Sequence, residues 1–231
     1  MTLFVSRRRP SRERLDEPDL SLEEMARSLE DLDFVNRFWG NARVLARRIR
    51  PTLRARRTSR FTVLDVGAGA ATLSRDLADR LGRAGAPVSV VALDLQWRHL
   101  AAGRARLRNG CGPAVAADAF ALPFPDGSAD WIVSTLFFHH FSPSENVRLL
   151  RELSRVARGG LALLDIRRSL LPLLFVSLAG RIAFKSRVSL EDGLASVRQA
   201  YTAREARQFA AEALPGARVE LVFPSRLMIS R

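Results

Sequence analysis

Two glycines between an apolar run and a helical pattern form the first candidate ligand site in the sequence. The segment from Val63 to Thr72 reads VLDVGAGAAT, with Asp65 inside the apolar run and Gly67 and Gly69 directly after it. Glycine lets the backbone of such a turn approach a ligand closely, because a side chain would hold the ligand away. A dinucleotide fingerprint would require glycine at position 72, where this chain has threonine. The loop therefore predicts a different nucleotide-like cofactor.

A carboxylate follows the next predicted strand. The apolar run at 88–93 ends in Asp94, 25 residues after Gly69. Because the carboxyl ends of neighbouring parallel strands share one edge of a sheet, we expect Asp94 beside the glycine loop, with Leu95 next to it. A carboxylate in that place can accept hydrogen bonds from both hydroxyls of a ribose. The alternative role for an aspartate after a strand is a helix cap.

A third motif identifies a family. Residues 118–128, DAFALPFPDGS, closely resemble the D-A-x-x-L-P-F-x-D-x-S signature of the quinone-biosynthesis or "type 11" branch of the class I S-adenosylmethionine methyltransferases. The glycine loop likewise resembles motif I of that family, although Ala71 stands where the family usually has a third glycine. The resemblance implies S-adenosylmethionine as cofactor, Asp94 on its ribose, Asp118 on the adenine amino group and Ala119 in the adenine pocket. A simple proline turn remains the other interpretation of this segment.

Two shorter segments narrow the resemblance. Residues 33–40, DFVNRFWG, resemble the element that precedes motif I in menaquinone and ubiquinone C-methyltransferases. That likeness places Arg37 near the cofactor carboxylate, where a charge-assisted contact is also physically reasonable; a packed helix is the alternative. Together with SVRQAYT at 196–202, the chain is similar to small methyltransferases encoded beside type III polyketide synthases, which act on alkyl-pyrones or phenolic lipids.

The end of the fourth predicted strand holds the candidate residues for the methyl acceptor. The segment 134–141 reads STLFFHHF, with Thr135 expected on the cofactor side. Relatives that methylate nucleobase amines or glutamine usually carry Asn/Asp-Pro-Pro-Tyr/Phe here, and this chain does not. Apolar residues beside His139 and His140 suit a small hydrophobic acceptor with a hydroxyl or an activated ring carbon, and we expect O-methylation over C-methylation. Either histidine could act as a base, or could anchor the loop or hydrogen-bond on the cofactor side.

Composition limits the partners. The chain of 231 residues carries 36 arginines and one lysine against 24 acidic residues, a net charge of +13. This excess favours anionic partners, and RNA methylation is therefore an alternative function. The arginines are spread along the chain rather than gathered around the motifs, so we do not expect nucleic acid as the partner. Cys111 is the only cysteine, and the three histidines do not suggest a metal cluster, so no metal is expected.

The alternation of strands and helices predicts an α/β fold with a doubly wound, mostly parallel seven-stranded sheet, Rossmann-like and with an antiparallel final strand. We expect a disordered tail at 1–18, an N-terminal helical cap at 19–60 and a cofactor-binding domain at 61–231, with a lid at about 167–195 after the fifth strand. Asp65, Asp94, Asp118 and Thr135 then fall near the carboxyl ends of strands, where such sheets bind ligands.

The lid segment raises the question of a membrane. Residues 167–187 contain apolar residues bracketed by arginine and lysine, which fits an interfacial helix on an anionic membrane, a cover for a lipid-like substrate, or an ordinary core helix. The apolar stretch 170–180 contains Pro172 and is too short to span a bilayer. We therefore expect a cytoplasmic protein, with peripheral contact at the inner membrane face through 167–187 as an alternative. The sequence does not indicate an oligomeric state, and a non-catalytic regulatory protein that binds S-adenosylmethionine is also an open alternative.

Overall fold

One seven-stranded sheet organises the protein. The computed structural model describes residues 7–55, 60–83, 87–104 and 111–231. Strand order across the sheet is β3-β2-β1-β4-β5-β7-β6; the first five strands are parallel, and β7 runs antiparallel to both of its neighbours. The strands are β1 (Phe61–Val66), β2 (Val88–Asp94), β3 (Cys111–Ala116), β4 (Trp131–Thr135), β5 (Leu161–Ile166), β6 (Arg218–Val222) and β7 (Arg226–Ser230). The predicted doubly wound fold is confirmed.

Helices cover both faces of this sheet. They are α1 (Leu22–Phe38), α2 (Asn41–Ala55), α3 (Thr72–Gly82), α4 (Trp97–Gly103), α5 (Pro143–Val156), α6 (Leu170–Ala183), α7 (Arg187–Gln199) and α8 (Ala203–Ala213). Successive strand side chains point to opposite faces: Val63 packs with α2 and α3, whereas Leu64 packs with α5 and α8. This two-sided burial explains the nearly continuous apolar runs of the central strands. Within the described ranges, no helix has the length and hydrophobicity needed to cross a membrane.

Residues 7–17 form what we call the N-terminal strap, which runs across the carboxyl-terminal edge of the sheet. The backbone N–H groups of Arg14 and Leu15 donate to the carboxylate of Asp192 in α7, at 2.9 and 3.0 Å. Leu15 is buried in an apolar cluster with Met25, Leu29 and other residues. The prediction of a disordered tail is therefore wrong for residues 7–18, because the partners of this charged segment lie far away along the chain. Residues 1–6 of that tail lie outside the described residues.

The segment after β5 folds as two helices. Residues 167–195, predicted as a lid, contain α6 and most of α7, which pack against each other through Val176, Gly180, Leu190 and Gly193. Val176, Val197 and Ala200 form an apolar cluster with Trp39 at the end of α1. The strap, α1 and these two helices together cover the carboxyl-terminal edge of the sheet.

A close helix–loop contact yields a first prediction. A Cβ atom at Gly103 in α4 would lie 1.8 Å from the carbonyl oxygen of Ala70 in the glycine loop. We expect Gly103→Ala to destabilise the fold by about 1–3 kcal/mol, as overpacking usually does, and to weaken ligand binding at that loop. Gly82→Ala is the matched control, because no atom lies within 4 Å of its added Cβ. Urea unfolding of both variants tests this; equal stability would contradict it.

Candidate active site

A cavity of about 380 Å³ lies at the carboxyl ends of the central strands. Its floor is the glycine loop and the residues that follow β2 and β4, and its cover is the strap, α1, α6 and α7. The four motifs found in the sequence meet in this one space. Their residues that line it are Asp65, Gly67, Gly69, Asp94, Leu95, Asp118, Ala119, Thr135, His139 and His140.

The glycine loop adopts a backbone that requires small residues. Gly67 and Gly69 have φ of +71° and +53°, and a Cβ at Gly67 would lie 2.5 Å from the Phe137 ring. Ala71 also has a positive φ, +57°. The left-handed conformation costs an alanine about 1–2 kcal/mol. This conformation accounts for the third glycine that the family resemblance expects at position 71.

Asp94 joins the loop to β2. One carboxylate oxygen accepts the N–H of Gly69 at 2.8 Å, and the other accepts the N–H of Gln96 at 2.8 Å. Each oxygen keeps lone-pair capacity for a further donor, as two ribose hydroxyls would require. Leu95 is 69% exposed at the rim of the cavity. His99 is buried beneath this site, with Nδ1 3.7 Å from Asp94.

The predicted adenine residues lie at the cavity mouth. Asp118 is exposed, and its carboxylate accepts the N–H of Phe120 at 2.9 Å, which fixes the turn after β3. Ala119 is buried and presents a small apolar surface to the cavity. The Phe120 ring also lines this end and packs edge-on against Phe141. A planar, mostly apolar group with one exposed amine fits this arrangement.

Asp65 supplies a buried carboxylate below the glycine loop. Asp65 is 1% exposed, and its carboxylate accepts a hydrogen bond from the hydroxyl of Ser74 at 2.5 Å. Burial raises the pKa of Asp65 to about 7, opposed by the Ser74 hydrogen bond and aided by the charge of Asp94. A carboxylate in this environment is stabilised by a cationic ligand. S-adenosylmethionine carries an ammonium and a sulfonium, so the residues present fit that cofactor.

The turn after β4 holds the two predicted histidines. Leu136 has a φ of +52°, and residues Phe138–His140 form one turn of 3-10 helix. The amide of Asn146 in α5 donates to the carbonyl oxygens of Phe138 and Phe141 at 3.0 and 3.3 Å. A capping box at Ser142 starts α5 and thereby places Asn146 under the turn. The strand end, the turn and the helix start therefore act together to fix both imidazoles.

His139 lies between two carboxylates. Its Nδ1 is 2.7 Å from Asp165 at the end of β5, and its Nε2 is 3.3 Å from Glu13 of the strap. Burial would lower the pKa of His139, but Asp165 and Glu13 outweigh it and raise the pKa to about 10. His139 is therefore an imidazolium that donates from both nitrogens. Burial would likewise raise the pKa of Glu13, but the charge and hydrogen bond of His139 and the hydrogen bond of Ser196 help to hold it below its usual value.

His140 has a different environment. Its side chain is 22% exposed to the cavity, and its ring nitrogens lie 3.7 Å from Glu13 and 3.8 Å from Asp16, beyond hydrogen-bonding distance. Burial lowers the pKa of His140 below its usual value, and the charge of His139 lowers it further, against Glu13 and Asp16. A lowered pKa favours the neutral imidazole, which can accept a proton at the ring nitrogen that carries no hydrogen. The two neighbouring histidines thus have opposite pKa shifts, raised for His139 and lowered for His140.

The structure moves one predicted residue away from the site and adds others. Arg37 was predicted near the cofactor carboxylate. In the structure its guanidinium lies 3.3 Å from Asp33, one helical turn earlier, and its side chain is 68% exposed. Its neighbour Asn36 lines the cavity instead. Glu13, Asp16, Asp192 and Ser196 line the cavity but were not predicted. They lie in a charged tail and in a lid helix, and no local pattern connects them with the motifs.

Glu13, His139 and His140 also meet the distance criteria for a metal site, since their ligand atoms lie within 4.8 Å of one another. The sequence predicts no metal, because it has a single cysteine and its three histidines do not suggest a cluster. The hydrogen bonds of His139 to Asp165 and Glu13, and those of Glu13 to Ser196 and Gln199, already account for the arrangement of these side chains.

Comparison with known proteins agrees with this site. Residues 63–160 match the family model described as "Methyltransferase domain". The ubiquinone/menaquinone biosynthesis C-methyltransferase of Escherichia fergusonii is 36% identical over 112 residues, which cover 47% of this chain and 43% of that relative. The chain thus spans less than half the length of this curated relative.

Solved structures share the fold over most of the chain. A putative S-adenosylmethionine-dependent methyltransferase from Methanococcus maripaludis superposes with a TM-score of 0.62 at 16% identity, covering 93% of this chain and 95% of that one. Human N-acetylserotonin methyltransferase, solved in complex with S-adenosylmethionine, superposes with a TM-score of 0.61 at 15% identity, covering 91% and 56%.

These findings show a methyltransferase domain at residues 63–160, within a chain that has the fold of S-adenosylmethionine-dependent methyltransferases. They support S-adenosylmethionine as the cofactor. The relatives similar to this chain include quinone C-methyltransferases, which agrees with the quinone-branch resemblance.

The ribose assignment of Asp94 is testable. We expect Asp94→Ala to weaken binding of S-adenosylmethionine and S-adenosylhomocysteine about 10²–10³-fold, because a charged hydrogen-bond acceptor contributes roughly 1.5–3 kcal/mol per bond. Calorimetric titration measures both ligands. Asp79→Ala is the control, since Asp79 is an exposed aspartate of the adjacent helix α3. Unchanged affinity in Asp94→Ala would refute the assignment.

Asp65 gives a pH-dependent prediction. Its folded pKa of about 7 lies above the ordinary aspartate value, so ionisation destabilises the cofactor-free protein as pH rises from about 4 to 7. We expect Asp65→Asn to be roughly 2–4 kcal/mol more stable than wild type at pH 8, with a smaller difference at pH 5, and to bind S-adenosylmethionine more weakly.

Urea unfolding at the two pH values measures this difference. The control is Asp130→Asn, which removes a buried aspartate that is paired with Arg158 and should destabilise the protein at both pH values. A stability gain from Asp65→Asn that does not change with pH would contradict the raised pKa.

Proposed function

We propose that the protein transfers the methyl group of S-adenosylmethionine to the hydroxyl of a small hydrophobic acceptor, such as a phenolic, hydroxypyrone or quinol lipid. One observation carries this proposal. The cofactor motifs open into a chamber with apolar walls, and His140 lies at its polar end beside Glu13 and Asp16. The chamber walls come from the histidine turn, α1 and the lid helices; they include Val35, Trp39, Leu136, Phe137, Phe141, Phe175, Val176 and Phe184.

The walls favour an aromatic or alkyl acceptor. Phe137 and Phe141 meet edge-to-face at 4.9 Å beside His140, and Trp39 and Phe175 face the chamber from the other side. An aromatic acceptor gains from such rings beyond the burial of area alone. The acceptor hydroxyl would then be the one polar group in need of a partner, and a ring nitrogen of His140 is that partner in this proposal.

His140 acts as proton acceptor in this proposal. The cofactor supplies an activated methyl group for in-line displacement, which depends mainly on positioning. A phenol or hydroxypyrone becomes a good nucleophile when its proton leaves, and His140 takes that proton. Glu13 and Asp16, at 3.7 and 3.8 Å, stabilise the imidazolium that forms. His139 holds Glu13 in place and remains protonated throughout.

C-methylation is a second candidate. The curated relative with 36% identity is named a C-methyltransferase of quinone biosynthesis. The same base would serve there, because removing a proton from a quinol hydroxyl increases electron density on the ring carbon. The similarity to methyltransferases encoded beside type III polyketide synthases supports pyrones and phenolic lipids as acceptors for either chemistry.

Two other functions are weighed against these. RNA methylation is supported by the net charge of +13; against it, the strap and the lid helices cover the chamber. A regulatory protein that only binds S-adenosylmethionine is supported by the strained Ala71 in motif I.

Labelled methyl transfer distinguishes all of these functions, with alkyl-hydroxypyrones, alkylphenols, quinols and total RNA as acceptors. The carbon chemical shift of the transferred methyl separates O- from C-methylation, and tight binding without transfer identifies the regulator.

The role of His140 has a specific readout. We expect His140→Gln to lower kcat/KM about 10²–10⁴-fold while leaving the affinity for S-adenosylmethionine unchanged. An acceptor acidic enough to be ionised at the assay pH should restore most of the rate, since no base is then needed. In the wild type, the rate should fall only below about pH 6.5, because the pKa of His140 lies under its ordinary value. Equal losses with acidic and ordinary acceptors would rule out the base.

A further inference from the structure

An apolar stripe lies on the outer face of the lid helix α6. Leu171, Leu174, Leu178 and Ile182 are 56%, 47%, 66% and 90% exposed. Their spacing of three and four residues places them on one side of the helix. Single exposed leucines are common on proteins, but a contiguous row of large apolar side chains marks an interaction site.

Two phenylalanines of α1 extend this row. Phe38 is 61% exposed and stacks on Phe175 of α6, with ring centroids 5.5 Å apart. Phe34, 39% exposed, stacks in turn on Phe38 at 5.9 Å. The four stripe residues and these two phenylalanines form one surface, which we call the lid patch.

We propose that the lid patch docks onto an anionic lipid bilayer and that the acceptor enters the chamber from that bilayer. The entry of the acceptor rests on the proposed function, whereas the docking itself does not. With 14 residues, α6 is about 21 Å long and contains a proline, so it lies in the membrane surface rather than across it.

The charges around the lid patch select an anionic surface. Arg181 and Arg187 are exposed at the end of α6 and the start of α7. Arg37 and Lys185 are also exposed, but they form ion pairs with Asp33 and Glu30, respectively. The two arginines, within a chain of net charge +13, attract acidic headgroups. A neutral surface or a neutral partner protein would not be attracted in this way.

The opposite side of α6 connects the patch with the chamber. Phe175 contacts Phe38 in the patch, and both Phe175 and Val176 line the cavity. The same short helix therefore separates the proposed bilayer from the methyl acceptor site. A hydrophobic acceptor needs only to pass the edge of this helix and never needs to enter water.

Vesicle flotation with the full-length protein tests the docking without any acceptor. We expect binding to phosphatidylglycerol vesicles, at least tenfold weaker binding to phosphatidylcholine vesicles, and weaker binding in high salt. The double variant Leu178→Glu/Ile182→Glu should lose binding at least tenfold. Leu221→Glu is the matched control, because Leu221 is 58% exposed on β6, outside the lid patch, and should leave binding unchanged.

Three results would overturn the proposal. The first is an absence of vesicle binding by wild type, and the second is an equal loss of binding in the control. The third is a wild-type dimer, seen by light scattering, that the double variant does not form; this result would assign the patch to a second copy of the chain. Calorimetric titration of S-adenosylmethionine confirms that each variant is folded. Methyl transfer to a water-soluble short-chain acceptor tests the proposed function separately, so a failure of docking and a failure of catalysis are distinguishable.

Discussion

An imidazolium buried between two carboxylates determines how the active site is put together. His139 belongs to the turn after β4, Asp165 to the end of β5 and Glu13 to the N-terminal strap. Ser196 and Gln199 of α7 bind the same oxygen of Glu13 at 2.5 and 2.9 Å. Removing one member of such a buried ion group typically costs about 3–5 kcal/mol, since the remaining charge loses its partner. Four separate parts of the chain are thus held in one arrangement.

Charge is distributed unevenly between the inside and the outside of the protein. The surface is strongly basic, whereas the cavity is lined by the carboxylates of Asp65, Asp94, Glu13 and Asp16. Among the described residues of this wall, His139 carries a compensating positive charge, because its pKa is raised to about 10. A sulfonium cofactor with an ammonium group fits an anionic interior, while the basic exterior remains available for acidic surfaces. The two fields serve different ligands.

The sequence was sufficient for the parts of the site that depend on local pattern. The mostly parallel, doubly wound sheet follows from the alternation of apolar runs and helices, and the glycine loop, Asp94 and Asp118 meet because parallel strands end at one edge. Glu13 could not be found in this way, because its role depends on contacts with residues more than 120 positions away. Arg37 was misplaced for a related reason. A helical turn offers it Asp33 as a nearer partner than any ligand.

The strap and α7 have a consequence for how the protein is made. Glu13 emerges from the ribosome early, yet Ser196 and Gln199 are synthesised 183 and 186 residues later. Until then, the nascent chain has the β1–β2 half of its sheet but lacks the residues that hold the strap over it. The polar end of the chamber therefore assembles among the last events of synthesis. A chain that ends before α7 contains the glycine loop and Asp94, but it lacks Ser196 and Gln199 and therefore two of the partners that hold Glu13 at the polar end of the chamber.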